Sequence, residues 1–202
     1  MSIRYVSNAD NEGWLLVRLS GSQNPEALPQ YLRVDYTNTD AGREHFKIIE
    51  GAYLGKEGSV KLKEDGSSYL ANGDPKLRAA KVHFVIENKK LWYEDAGWIG
   101  PIDAKTHPDN KVPVGIHDIE IPDNPHEVPE DYIHKSIFAK TWFRISHSGD
   151  RYLHTGSVSA GCVTVTDIPK WTDLYNYLIA RRKGDSKSIG EIHVFEKESQ
   201  RT

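Results

Sequence analysis

Short apolar runs separated by glycine, asparagine, aspartate and proline fill the first part of the chain. Trp14-Leu15-Leu16-Val17-Arg18-Leu19 runs into Ser20-Gly21-Ser22, residues 31–36 alternate apolar with polar, and His45-Phe46-Lys47-Ile48-Ile49 leads to Gly51. Runs of this length, bounded by turn residues, predict strands. Ser59-Val60-Lys61-Leu62-Lys63 and Ser68-Tyr69-Leu70 flank Glu64-Asp65-Gly66. Asp-Gly supplies the positive φ angles of a tight turn, so a hairpin is expected there. Asn72-Gly73-Asp74-Pro75 reads as a boundary. It predicts a β-rich N-terminal module over 1–75 and a second domain over 76–202.

The second part continues the pattern. Val82-His83-Phe84-Val85-Ile86, a Glu-Asn-Lys-Lys turn and Leu91-Trp92-Tyr93-Glu94-Asp95 predict a hairpin, with Gly97, Gly100 and Pro101 expected to break it. Residues 112–121 form a further extended run, and Pro122, Pro125 and Pro129 predict a long irregular loop before a strand over 141–145 that ends at His147. One amphipathic helix is expected, opening at Thr166 or Asp167 with Pro169 in its first turn. Trp171, Leu174, Tyr175, Leu178 and Ile179 recur on one face, and Arg181-Arg182-Lys183-Gly184 closes it with cations and a glycine. A last strand is expected over 189–196. The fold class is therefore mostly β, with one helix near the C-terminus.

Composition narrows the chemistry. With 202 residues, 38% of them hydrophobic, the chain buries one substantial domain, or one with a smaller appended module. Its 26 basic against 29 acidic residues give no basic field for a phosphate backbone, so no nucleic-acid partner is expected. No segment reaches the roughly 18–20 apolar residues of a membrane span. The N-terminus lacks the apolar stretch of a secretory leader, so the expectation is a cytosolic chain, one exported by a signal-independent route, or a mature chain with its leader removed. Cys162 is the single cysteine, which excludes an internal disulfide and a multi-thiolate zinc site. It is left as buried filler, an intermolecular bridge or a reactive thiol.

The surroundings of Cys162 allow reactivity and leave buried filler equally open. Residues 144–165 read as a strand end, a polar glycine-rich loop and a new extended run that carries the cysteine, with His147 and His154 ahead of it. A thiolate nucleophile needs a base or cation to lower its pKa and backbone N–H groups to hold an oxyanion, and Gly161 permits the close backbone approach such a hole requires. His107, His117, His126 and His134 with the acidic residues near them fit no compact ligand set, so no metal is expected and solvated loops are the reading. Trp92, Trp98, Trp142 and Trp171 read as core aromatics.

His147-Ser148, the loop, and Ser159-Ala160-Gly161-Cys162 together resemble the L,D-transpeptidase catalytic domain, a β-rich cysteine enzyme family of bacterial cell-wall metabolism. Leu91-Trp92-Tyr93 resembles that family's opening hairpin, and Lys111-Val112-Pro113-Val114-Gly115-Ile116-His117 its Thr-Pro-x-Gly motif. The likeness covers roughly 81–196 and implies a β-sandwich or mixed-sheet domain. It implies Cys162 as nucleophile, His147 as base, the Ser148 carbonyl as the group that orients the ring, and the Gly161 and Cys162 amides as oxyanion donors. Two positions depart from the family pattern: Ala160 stands where the family has histidine, and Thr164 where it has Arg or Asn. His154 is an additional or alternative base, or a solvated loop residue. Ser159, Ala160, Thr164 and Tyr132 are candidate substrate contacts.

The activity implied is attack on the carbonyl after the diaminopimelate-type centre of a peptidoglycan tetrapeptide stem. D-Alanine leaves, and the thioester passes to an amine or to water, without cofactor, in the cell envelope. Two other readings remain open: a cysteine amidase or peptidase acting on the cell wall, such as an antibacterial toxin, and a non-catalytic wall-binding or interaction module.

Overall fold

A computed structural model of the protein describes residues 2–10, 12–73 and 78–201. The chain divides into two compact units, Met1–Lys76 with Pro122–Pro125, and Leu77–Ile121 with His126–Thr202. Asp74 and Pro75, on which the expected boundary falls, lie outside the described residues.

The first unit is one antiparallel sheet of seven strands: β1 (Ser2–Val6), β2 (Trp14–Leu19), β3 (Glu26–Pro29), β4 (Arg33–Asp40), β5 (Arg43–Ile48), β6 (Glu57–Lys61) and β7 (Leu70–Asn72). They lie in the order β3-β2-β6-β5-β4-β1-β7. Alternation buries Leu15, Val17 and Leu19 of β2 and Phe46 and Ile48 of β5. Glu44 is buried on that same face because Arg4 Nη1 lies 2.5 Å from it and the Ser68 hydroxyl donates to it at 2.6 Å. Glu50 is likewise held by Arg33 Nε at 2.7 Å. A buried carboxylate survives only with such partners.

The hairpin expected across Glu64-Asp65-Gly66 is corrected. The turn forms, with the Gly66 amide donating to the Lys63 carbonyl, but β6 pairs with β5 and β2 while β7 pairs with β1. β1 and β3 carry weak local signals, since β1 is five residues without an alternating buried face and β3 is four residues closed by a proline.

The second unit contains β8 (Ala80–Val85), β9 (Lys90–Glu94), β10 (Trp98–Lys105), β11 (Gly115–Glu120), β12 (Phe143–Arg144), β13 (Tyr152–Thr155), β14 (Val163–Val165) and β15 (Ser188–Phe195). Their order is β11-β15-β8-β9-β10-β14-β13-β12, with β8–β15 and β13–β14 parallel. The β8–β9 hairpin forms as expected. Gly100 and Pro101 do not end the next strand: β10 runs through them with a bulge between Ile99 and Ile102. A side chain at position 100 would meet the Trp92 ring at 2.7 Å and the Leu91 carbonyl at 2.8 Å, which explains the glycine.

Of the helices, α1 (Glu130–Lys135) is a single exposed turn-and-a-half inside the proline-rich segment and was not expected. α2 (Trp171–Ile179) begins after a 3-10 turn at Ile168–Lys170 and buries all five residues of the expected stripe. Tyr175 stacks on Phe138 at 3.9 Å, and Trp171 Nε1 donates to the Phe138 carbonyl.

Gly190 of β15 pairs with Ala80 of β8, and a Cβ there would sit 2.1 Å from the Ala80 carbonyl oxygen. Backbone cannot yield as a side chain does, so Gly190→Ala is expected to cost more than about 2 kcal/mol. Thermal unfolding checks this; an unchanged midpoint would contradict the parallel register.

His83 lies against Trp98, His193 and Phe195 in the core of β8, and among the described residues neither ring nitrogen has a hydrogen-bond partner. Burial first, then the neighbouring His193, Lys81 and Arg201 charges, push its pKa down to about 4. The unfolded imidazole takes up a proton near pH 6.5 that the folded one refuses, so this stability is full above that pH and falls as pH drops toward 4. In urea titrations at pH 7.5 and 4.5, His83→Leu should lose less stability on acidification than the wild type.

Candidate active site

Cys162 stands immediately before β14, at the end of the turn formed by Ser159, Ala160 and Gly161. The turn is held from inside and outside. Ser159 is buried and its hydroxyl donates to the Cys162 carbonyl at 2.9 Å. Asn110 Nδ2 donates to the Ala160 carbonyl at 2.7 Å, and Arg151 Nη1 donates to the Gly161 carbonyl at 2.6 Å. Arg151 Nη2 in turn donates to Asn110 Oδ1 at 2.7 Å, closing a clamp. Gly161 has φ of 131°, and a Cβ there would lie 2.6 Å from Arg151 Nη1 and 2.7 Å from Asn110 Nδ2. Glycine is therefore required both for the backbone angle and for the clamp.

Parallel pairing places Leu153 beside Val163 and His154 beside Thr164. Carried back one residue, the register sets Tyr152 beside Cys162. The thiol faces the Asp150 carbonyl at 3.9 Å. Burial pushes the thiol pKa up, opposed by the Tyr152 amide and the Arg151 guanidinium. Cys162 is thus 9% exposed and holds its proton in the resting state.

The structure separates the two candidate bases. His147 is exposed, with Nδ1 2.7 Å from Glu120 Oε1 and Nε2 2.9 Å from Asp118 Oδ2. The Glu120 carboxylate foremost, with Asp118 beside it, raises its pKa against the opposing effect of burial. Lys183 Nζ shares Asp118 at 2.5 Å and reaches Glu191 at 2.7 Å, and both carboxylates hold its pKa up. Both His147 nitrogens are spent on this charged cluster, and among the described residues no imidazole hydrogen-bonds to Cys162 Sγ. Ser148 beside it is exposed.

His154 is a strand residue, not a solvated loop residue. It is buried on β13, stacked on Trp142 at 4.2 Å, with Trp142 stacked in turn on His126 at 4.2 Å. His126 is thereby half-buried against aromatic rings, contrary to its reading as a solvated loop residue. Burial holds the His154 pKa down at about 4. His154 Nδ1 lies 2.9 Å from the Thr155 carbonyl, which can only accept, so the network assigns the proton to Nδ1 and leaves Nε2 as an acceptor. The Thr164 hydroxyl is 3.1 Å from Nε2 and 3.3 Å from the Val158 carbonyl, a second acceptor for the same proton.

The other candidate contacts disperse. Tyr132 is turned to the loop after β13, its hydroxyl bonded to the Ser157 hydroxyl and accepting the Ser157 amide N–H at 2.9 Å. Ala160 is exposed on the turn. The Gly161 amide, expected as an oxyanion donor, points at the Ser159 hydroxyl at 3.4 Å. Of the aromatics read as core, Trp171 is fully buried and Trp98 is 40% exposed.

Asp118, His147 and Asp185 offer ligand atoms within 4.8 Å of one another, a grouping the sequence reading did not find. Alternation along β11 would have shown Asp118 and Glu120 on one face. The Asn110–Arg151 clamp joins residues 41 positions apart and has no local signal.

No protein-family model matches the chain, and a search of curated proteins finds no match either. Among solved structures, the chain is similar to Mycobacterium tuberculosis L,D-transpeptidase 1, at 13% identity and a TM-score of 0.40, covering 89% of this chain and 81% of that one. It is similar also to the LD transpeptidase LdtMt1 in complex with imipenem, at 15% identity and a TM-score of 0.39, covering 96% of this chain and 82% of that one.

Arg151→Met is expected to cost about 1–3 kcal/mol, because the Gly161 and Asn110 acceptors lose their donor, and to raise the thiol pKa by removing the nearby cation. Hydrogen exchange over residues 159–162 and the pH midpoint of Cys162 alkylation check the two effects separately.

Proposed function

We propose that the second unit is a cysteine acyltransferase of the L,D-transpeptidase kind, acting on peptidoglycan stem peptides, with Cys162 as nucleophile and His154 as base. The observation that supports this reading is the β13–β14 register, which pairs the buried His154 with Thr164, two positions along from the buried Cys162. The ordered Pro-x-Gly, His-Ser and Ser-x-Gly-Cys series supports the substrate class.

His154 in place of His147 follows from where the lone pairs are. An acceptor nitrogen is available at His154 Nε2, whereas both nitrogens of His147 face carboxylates that favour its protonated form. Side chains two residues apart along a strand share a face, so extended backbone carried one residue ahead of β14 would put Cys162 on the face of Thr164, across from His154.

In the reaction, the thiol proton passes to His154 Nε2 as the sulfur attacks the carbonyl carbon. The Thr164 hydroxyl, a donor to Nε2 beforehand, turns its proton to the Val158 carbonyl and accepts the new Nε2–H. The imidazolium returns its proton to the departing D-alanine amine, leaving a thioester. An incoming amine or water then gives its proton to His154 as it attacks the thioester carbonyl, the C–S bond breaks, and His154 returns that proton to the departing sulfur.

Incubated with disaccharide tetrapeptides, the wild type should release D-alanine. His154→Ala and Cys162→Ser should each lower the rate by at least about 100-fold, His147→Gln by less than about threefold, and Thr164→Val by an intermediate factor that Thr164→Ser restores. Loss with His147→Gln and retention with His154→Ala would reverse the assignment. Cleavage of crosslinks without D-alanine release would favour the peptidase reading.

A further inference from the structure

The first unit contains an interruption in its sheet that has the form of a receptor for another strand. β2 and β6 pair only at Arg18–Ser59 and Leu19–Gly58, continued by the Ser20 amide donating to the Glu57 carbonyl at 2.9 Å. In that register Leu16 would next face Lys61, but the ladder has already ended. Each strand continues on its far side: β2 pairs with β3 from Trp14 to Val17, and β6 pairs with β5 as far as Lys61. The two strands therefore diverge, each covered on one edge and open on the other.

Backbone polarity follows from the same register. Ladder groups alternate direction along a strand, and the Ser20–Glu57 bond sets the phase. The N–H and C=O of Leu16 and of Lys61 both point into the gap. Trp14, the next position on that edge of β2, is already closed by Asp10, whose amide donates to the Trp14 carbonyl and whose carboxylate accepts the Trp14 amide. The gap is thus bounded by Asp10–Trp14 at one end and Arg18–Ser59 at the other. A cleft of about 990 Å³ occupies it.

We propose that this cleft binds an extended acidic peptide, which enters as a strand between β2 and β6 and pairs with Leu16 on one side and Lys61 on the other. Successive residues of an extended guest present their main-chain groups to opposite sides, so two residues satisfy both edges. Because β2 and β6 are antiparallel, the guest runs parallel to one and antiparallel to the other. Charge selects the occupant: Arg18, Lys61 and Lys63 line the cleft, with Arg43 donating to the Ser59 hydroxyl and carbonyl, against Asp10, which is spent on backbone amides, and Glu64. The side chain of Leu16, 64% exposed, offers the guest one apolar contact.

The test uses the full chain labelled with 15N and an acetylated, amidated nonapeptide alternating glutamate with valine. Saturable shifts centred on the Leu16 and Lys61 amides, with slowed exchange of both, are expected. Methylating alternate peptide nitrogens should weaken binding at least tenfold, and the double variant Lys61→Glu, Lys63→Glu should switch preference to a lysine–valine peptide. Three outcomes overturn the proposal. The first is no saturable shift at millimolar peptide. The second is equal binding of the methylated peptide or of polyglutamate, which would make the cleft a cationic surface only. The third is the same shifts appearing without peptide as protein concentration rises, which would make the occupant a second copy.

Discussion

The parallel pairing of β13 with β14 is the constraint from which the proposed chemistry follows. The strands are four and three residues long, too short to hold a register by their ladder alone, and their connection must return the chain in a handful of residues. The Asn110–Arg151 clamp and the Ser159 hydroxyl supply what the ladder lacks, by fixing the carbonyls of Ala160, Gly161 and Cys162. With the turn held, the sulfur faces the Asp150 carbonyl and the imidazole lies beside Thr164. Gly161 is the residue at which these demands meet, since any side chain there would collide with the clamp.

The same unit sets two histidines in opposite electrostatic states. His147 lies at the surface between two carboxylates and is driven toward its charged form. His154 lies under Trp142, away from carboxylates, and is driven toward its neutral form. Only the second state has a lone pair to offer a thiol. In the proposed chemistry, a thiol and an imidazole that both rest neutral spare a buried site the desolvation cost of a standing ion pair. The Thr164 hydroxyl, with two acceptors in reach, lets the site absorb one proton without leaving a buried polar group unpaired.

Much of this was legible in the sequence wherever one element decided the matter. The α2 stripe and the β8–β9 hairpin follow from periodicity and turn chemistry, and Cys162 from its uniqueness and its Gly161 neighbour. What escaped depended on partners distant along the chain. The turn at Asp65-Gly66 formed, yet nothing local showed that β6 and β7 would pair with different strands. Gly100-Pro101 read as a break, although a bulge let β10 pass through. His154 reads as part of the polar loop because its strand is four residues long, flanked by Arg151 and Gly156, and buries Leu153, His154 and Thr155 in succession, so no alternation marks it. His147 drew attention by its place before the motif serine, and only the fold shows Asp118 and Glu120 closing on it.

The central claim, that Cys162 is paired with His154, is tested most directly by the second-order rate of Cys162 alkylation by iodoacetamide between pH 5 and 10. The account has wild type and His147→Gln following one curve, and His154→Ala slower at neutral pH with its midpoint moved upward. A curve unchanged by His154→Ala but displaced by His147→Gln would contradict it.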